Sequence, residues 1–257
     1  MTVALPILSA CGQETCILPS AVLSSHTGGF QDPTFRDLTE DMPAVMSHWM
    51  REGISFDNIY TGYLGSAKQI AYVQDIFKNL LAPGGITVVD PAMADHGKLY
   101  KGFDDAYVTQ MRSLCAVADI IIPNITEAAM LTGAPYRENP DREYVVHLME
   151  ELAAMGCKTV VLTGAGDKPD NTGVVVYADS QIWHYVHPKS EISYHGTGDI
   201  FASAFAGSMA AGKDLKQAVK VAADYTALCI EKTNSDPAHW YGVKFEAALP
   251  QLIQMLK

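Results

Sequence analysis

A regular exchange of two hydrophobic periods along the middle of the chain constrains its fold more than any other feature. Helix-period runs at 42–52, 66–81, 108–117, 126–132 and 141–155 are separated by short strand-like runs, "NIYTGY", "ITVVD", "ADIIIPN" and "KTVVLTG". Strands that alternate with helices need crossover connections, which lay neighbouring strands parallel and cover both sheet faces with helices. After them "TGVVVYAD" and "QIWHYVH" meet at Asp179 and Ser180 and read as a hairpin, and 198–212, 215–232 and 245–256 read as helices. At the front, residues 2–11 read as an uncapped helix and "TCILPS" as a short strand. Residues 20–41 hold no long period and read as a flap of strand pieces and loop. The expectation is one α/β domain over 1–257, three layers α/β/α around a mainly parallel sheet, with no repeat or linker.

Composition narrows the function. At 48% hydrophobic and 18% charged, the chain has the make-up of a soluble protein, with no membrane partner expected. A net charge of −11 opposes broad attraction to nucleic acid. The five cysteines are scattered without metal-type spacing, which points to a reducing, cytoplasmic setting. "LSAC" at 8–11 has the look of a lipoprotein signal end, but no basic residue precedes it and the apolar run is short.

In open α/β sheets ligands bind beyond the carboxyl ends of the strands. Four such ends are polar: "TGY" (61–63), "DPAMADHG" (90–97), "PNITE" (123–127) and "TGAGD" (163–167). Asp90, Asp95 and Glu127 would bring three acidic groups to one edge, a set of oxygen donors suited to Mg²⁺. Taken singly, each also reads as a cap or turn former. "GTGD" at 196–199 is more specific. Gly196, Thr197 and Gly198 can aim successive amides at one point, and the positive end of the following helix adds to them. That makes a phosphate site, in which Asp199 is misplaced as a ligand but sensible as a base for a hydroxyl attacking the phosphate. Asp199 can also be read as a helix-dipole partner. No GxxxxGK[ST] and no early GxGxxG occurs, so neither a P-loop nor a dinucleotide fold is expected.

With these motifs in order, the chain resembles the ribokinase-like kinases and, within them, the pyridoxal (pyridoxine, pyridoxamine) kinases. GTGD resembles that superfamily's anion hole and catalytic base, and Asn124 with Glu127 its NxxE element. "HTGG" at 26–29, "TGY" and "DPAMADHGKLY" resemble the vitamin B6 branch. The resemblance implies ATP-dependent phosphorylation of the 5′-hydroxyl of a B6 vitamer. It implies Asp199 as base, Gly196, Thr197 and Gly198 as anion hole, and His26, Thr27 and Tyr63 on the pyridine ring. Asn124, Thr163 and Gly164 fall near ATP, and Asp90, Asp95 and Glu127 near Mg²⁺. It further implies a homodimer with small-molecule substrates, and leaves a monovalent cation such as K⁺ open.

Two positions depart from the family pattern. Ala94 stands where glycine is frequent, and Ile122 replaces a polar residue before Pro-Asn, which bears on a monovalent-cation or phosphate contact. The family's first strand and its serine-bearing turn also have no counterpart before residue 2, so a truncated, non-catalytic vitamer-binding homologue is one alternative. A hydroxymethylpyrimidine kinase is the other.

Overall fold

The structure is a computed structural model and describes residues 2–25, 30, 32–166, 171–190, 194–236 and 238–257. The chain falls into two compact units, one of residues 1–36 and 187–257 and one of residues 37–186.

The first unit opens with α1 (Ala4–Ala10), whose Ile7 is fully buried, and continues to a ribbon of β1 (Ala21–Leu23) and β2 (Phe35–Asp37). The strand expected at 15–20 does not form. Pro19 has no N–H for a ladder, and the Thr15 hydroxyl folds back to donate to the Gln13 carbonyl at 3.3 Å. The strand begins only at Ala21. Beyond it Ser24 and Thr34 are tied, Ser24 N donating to the Thr34 carbonyl at 3.1 Å and Thr34 N to Ser24 Oγ at 2.9 Å.

The 37–186 unit is the alternating part. It runs through α2 (Met42–Arg51), β3 (Phe56–Thr61), α3 (Ala67–Leu80), β4 (Leu81–Val89), β5 (Ala94–Asp95), β6 (Lys98–Leu99) and α4 (Asp105–Val117). It goes on through β7 (Ile120–Ile121), α5 (Ile125–Thr132), α6 (Arg142–Ala154), β8 (Thr159–Thr163), β9 (Asn171–Ala178) and β10 (Gln181–Pro188). Helices α3 to α6 start where a short polar side chain takes an orphan amide; α2, after Asp41, has no such cap. Ser66, Asp104, Asn124 and Asp141 each accept from the N–H three residues on.

Among the described residues the main sheet has six strands in the order β10-β9-β8-β7-β4-β3. The four from β8 to β3 are parallel and β9 runs antiparallel to β8. The β9–β10 turn puts Asp179 at φ 50° and Ser180 at φ 59°, the two positive angles that let a two-residue turn match the strand twist. β4 is longer than "ITVVD". Its start passes through Gly84 at φ 80° and Gly85, where an added Cβ would lie 2.8 Å from the Asp57 carbonyl oxygen, and the register with β3 slips between Phe56 and Asn58. β7 is shorter than "ADIIIPN": only Ile120 and Ile121 pair with both β4 and β8. Met93, Met111, Leu114, Ile121, Leu131 and Leu148 are fully buried in this unit's core.

The chain then completes the first unit with α7 (Thr197–Ala210), α8 (Leu215–Asn234), a 3₁₀ turn (Glu246–Ala248) and α9 (Leu249–Met255). The helix expected over 245–256 is therefore split, with Pro250 at the start of its α portion. From Ile200 to Ser208 every residue of α7 is buried, which its apolar and small composition permits. Helix α1 lies against α7 at Gly207, where an added Cβ would stand 2.5 Å from Cys11 Sγ. Among the described residues no helix is long and apolar enough to cross a membrane.

The Gly207 contact can be tested directly. Helix propensity alone favours Gly207→Ala by about 1 kcal/mol, but forcing a methyl into Cys11 costs about 1–3 kcal/mol. Gly207→Ala is expected to destabilise the wild-type chain and to cost less in a Cys11→Ala background, where the Sγ at 2.5 Å is gone but the Cys11 Cβ at 2.9 Å remains, a coupling that urea denaturation of the four proteins would reveal.

Candidate active site

The parallel strands end in step. Thr61 pairs with Val89, Val89 with Ile121, and Asn124 bridges Thr163. Past these ends the ladder continues briefly, with Asp90 N donating to the Thr61 carbonyl (2.9 Å), Ile122 N to Val89 (2.8 Å) and Thr163 N to Pro123 (2.9 Å). Tyr63, Asp90, Asn124 and Thr163 therefore gather at one edge, as the position of each just after an apolar run implied. Gly164 follows Thr163 at φ 75° with open space where a Cβ would be.

Glu127 organises this edge. It is 2% exposed, and both its oxygens are used. Oε2 accepts from Asn124 N at 2.9 Å, while Oε1 accepts from Met93 N at 2.9 Å and from Ala94 N at 3.4 Å. The Asn124 side chain completes a capping box by accepting from Glu127 N at 2.9 Å, and its Nδ2 donates to the Ala94 carbonyl at 2.9 Å. Gly97 N donates to Thr126 Oγ1 at 3.1 Å. The first turn of α5 thus staples the 90–97 loop along its length. Burial pushes the Glu127 carboxyl up to about 7; the three amides pull it down and the nearby Asp95 charge adds to the rise.

The loop needs that staple. Ala92 sits at φ 39° and His96 at φ 49°, conformations unfavourable for residues with a Cβ. Asp90 is buried, and its Oδ1 accepts from Ala92 N at 3.1 Å; Asp95 is exposed, with Oδ1 accepting from His96 N at 2.8 Å. The hairpin of β5 and β6 was not foreseen within "DPAMADHG"; its signal is His96-Gly97, the pair with positive φ at the turn. A Cβ at Gly97 would lie 2.7 Å from the Tyr136 ring.

Asp90, Asp95 and Glu127 therefore share one loop–helix junction. Among the described residues no three His, Cys, Asp or Glu side chains form a group able to hold a metal ion by themselves. The donors suit Mg²⁺ chemically, since that ion keeps several waters and takes one or two carboxylates. Both Glu127 oxygens are already engaged by backbone amides that fix the loop.

Tyr63 is half-buried in a column of rings. It stacks on Phe103 (centroids 5.6 Å apart), which stacks on Tyr107 (3.9 Å, 8° between planes), and the Tyr107 hydroxyl donates to the Leu64 carbonyl at 2.7 Å. Burial, and then the charge of Asp37, pushes the Tyr63 phenol up. One residue of this neighbourhood was not singled out from the sequence: Gln69, with no exposed surface, announced only by the S-x-x-Q spacing from Ser66.

In the other unit Gly196 stands at φ 86°, ψ 2° before α7, and no side chain caps that helix. A Cβ at Gly198 would meet nothing within 4 Å, so packing does not demand this glycine, which instead leaves the backbone bare. Ile200 N already donates to the Gly196 carbonyl at 3.1 Å, while the first-turn amides before it precede the helical ladder. Asp199 lies in this first turn, partly exposed. Thr197 Oγ1 turns back to the Tyr194 carbonyl at 3.4 Å, and the Tyr194 hydroxyl donates to Asn234 Oδ1 at 2.9 Å, anchoring the approach to the helix. His26 and Thr27 lie outside the described residues.

An open, mostly parallel sheet with its polar residues beyond the carboxyl ends, and a separate glycine-opened helix carrying an acid, define a ribokinase-like α/β protein. The chain belongs to the phosphomethylpyrimidine kinase family, whose model it matches over residues 8–243. A Bacteroides thetaiotaomicron structure assigned as a phosphomethylpyrimidine kinase and crystallised with pyridoxal is 36% identical, with a TM-score of 0.91 over 98% of this chain and 90% of that one. A pyridoxal kinase structure from Lactobacillus plantarum is 32% identical, with a TM-score of 0.89 over 98% and 90%. A Caenorhabditis elegans protein assigned as a pyridoxal kinase is 30% identical over 209 residues, 75% of this chain and 64% of the relative, so the chain spans just under two thirds of that relative's length.

Glu127→Gln offers only one oxygen to three amides. Leaving a buried donor unpaired costs about 1–3 kcal/mol, so the variant should melt lower than the wild type. The raised carboxyl pKa adds a signed pH dependence. Its contribution favours folding in full below the ordinary carboxylate range and is lost as pH rises through about 7. The deficit of Glu127→Gln is therefore expected to be largest near pH 5 and to narrow by pH 8; parallel melting curves would contradict the assignment.

Proposed function

We propose that this protein transfers the γ-phosphoryl group of ATP to the 5′-hydroxyl of pyridoxal, pyridoxine or pyridoxamine. The observation that carries the reading is the start of α7, where a left-handed Gly196 opens an uncapped helix and an acid stands in its first turn. A helix start of this kind attracts anions. A carboxylate beside it weakens anion binding, and its presence is accounted for if it accepts a proton from the alcohol as that oxygen attacks phosphorus. Support also comes from the pyridoxal-bound Bacteroides relative and the Lactobacillus pyridoxal kinase, both above 30% identity.

In this reading the amides of Gly196, Thr197, Gly198 and Asp199 hold the transferring phosphoryl oxygens, and Asp199 accepts the hydroxyl proton. The proton leaves the attacking oxygen as the O–P bond forms and the bond to the ADP oxygen breaks. Tyr63, with His26 and Thr27, holds the pyridine ring. Asn124, Thr163 and Gly164 serve the ATP phosphates. Asp90 and Asp95, through water, would hold Mg²⁺ on the loop that Glu127 fixes, and the ion would neutralise phosphate charge. A homodimer belongs to the same reading.

The family's own name favours a second alcohol, hydroxymethylpyrimidine, which offers a similar ring and CH₂OH group. Turnover measured on both alcohols with ATP decides between them: a higher kcat/KM for the B6 vitamers is expected. Pyridoxal binding without turnover on either alcohol would mark a vitamer-binding protein instead.

Asp199→Asn preserves size and removes the base. The expected result is a fall in kcat of about 10²- to 10⁴-fold, with pyridoxal affinity retained and ATP affinity equal or tighter. Were Asp199 only a partner of the helix dipole, the loss would be about 0.3–1 kcal/mol of stability with kcat intact. Turnover, ligand affinity and melting on one preparation separate the two.

A further inference from the structure

Gln69 occupies the third position of α3, and Ser66-x-x-Gln69 has the form of a capping box, in which the third-position side chain normally returns to the N-cap amide. Ser66 Oγ does accept from Gln69 N, at 3.3 Å. The return bond goes elsewhere. Gln69 Oε1 accepts from Gly65 N at 2.7 Å, one residue earlier, on the loop that carries Tyr63. The side-chain amide is thereby turned so that Nε2 donates to Thr39 Oγ1 at 2.8 Å and to Asp37 Oδ1 at 3.3 Å. Asp37 Oδ1 in turn accepts from both Thr39 N (2.8 Å) and Thr39 Oγ1 (2.6 Å).

A wholly buried amide with both ends engaged is costly to disturb, since removing either partner strands the other. Its three partners belong to two segments that it joins: residues 37–39, which close the 20–41 segment, and residues 61–65. Asp37 also acts electrostatically on the Tyr63 phenol, so the two segments are close at the ring as well as at the backbone. A capping role alone would need neither Asp37 nor Thr39.

We propose that Gln69 is a positioning residue for the alcohol substrate: its side-chain amide locks the end of the 20–41 segment to the Thr61–Gly65 loop and so sets where Tyr63 meets the substrate ring. The kinetic side of this inference rests on the B6 kinase reading.

Two variants separate positioning from capping. Gln69→Glu keeps an acceptor for Gly65 N and a standard capping-box acid, but loses the donor to Thr39 and sets a carboxylate against Asp37. Gln69→Leu removes both ends. For Gln69→Glu the expected result is a lower melting temperature, since the new carboxylate is buried against Asp37, and a KM for pyridoxal raised about three- to ten-fold, with kcat and the KM for ATP unchanged. Lowering the pH, which protonates the new carboxyl and restores a donor, should bring the KM back. Gln69→Leu should show the KM increase and a lower melting temperature. Hydrogen exchange supplies a readout independent of activity: in Gln69→Glu the Gly65 amide stays protected while the Thr39 amide exchanges faster. The proposal is overturned if both variants keep the wild-type KM for pyridoxal, or if in Gln69→Glu the KM for ATP rises together with that for pyridoxal. If the wild-type protein turns over no B6 vitamer, the kinase reading fails on its own, and exchange decides: an unchanged Thr39 amide in Gln69→Glu overturns the lock and a faster one supports it.

Discussion

A carboxylate buried as deeply as Glu127 persists only where its lone pairs are used, and here three backbone amides from two distant segments use them. That geometry lets the 90–97 loop hold Ala92 and His96 in the left-handed region, and it joins the loop to the start of α5. Breaking it would release the two strained residues and the buried Asp90 together. The edge beyond β3, β4, β7 and β8 is in this sense assembled on one side chain. Its proton affinity, raised by burial, is the electrostatic cost of that arrangement.

The same device appears twice more at the edge, each time with a neutral side chain. Asn124 caps α5 with its oxygen and holds the Ala94 carbonyl with its nitrogen. Gln69 holds Gly65 with its oxygen and residues 37–39 with its nitrogen. Amides suit such joints because each can accept and donate at once without adding charge. In the proposed kinase this would matter for phosphate binding, since every further fixed carboxylate would raise the cost of bringing a polyanion to the edge.

How much of this was legible follows from the range of each interaction. Period and caps are local, so α2 to α6 and the parallel strands stood in the sequence, as did the hairpin at Asp179 and Ser180. The failures also have local causes. "TCILPS" has strand composition but carries Pro19, and β4 begins before the expected "ITVVD", across Gly84-Gly85, which serve as an irregularity within the strand. The Asn124–Glu127 pair is visible as a helix start, but nothing in its spacing says that the second carboxylate oxygen reaches back 34 residues to Met93. Gln69 is the same case: its capping-box spacing is readable, its link across 32 residues to Asp37 is not. Motif spacing thus located the edge, whereas the side chains that hold its shape became visible only with the fold.

The α7 entrance follows a different logic. A helix that is apolar all round, as α7 is from Ile200 to Ser208, is held by burial along its length and does not need a cap to exist. Its first turn is therefore relieved of structural duty, and a side-chain cap, worth about 1 kcal/mol in an ordinary helix, can be given up. What replaces the cap is Gly196 in a left-handed conformation and Gly198 with empty space around it, both of which bare the backbone. An acid in the first turn also complements the helix dipole, as acids commonly do there. Asp199 stands in that turn, directly after the two glycines. In the proposed kinase, that pairing of bared backbone with an adjacent acid would connect a stable helix to phosphoryl transfer.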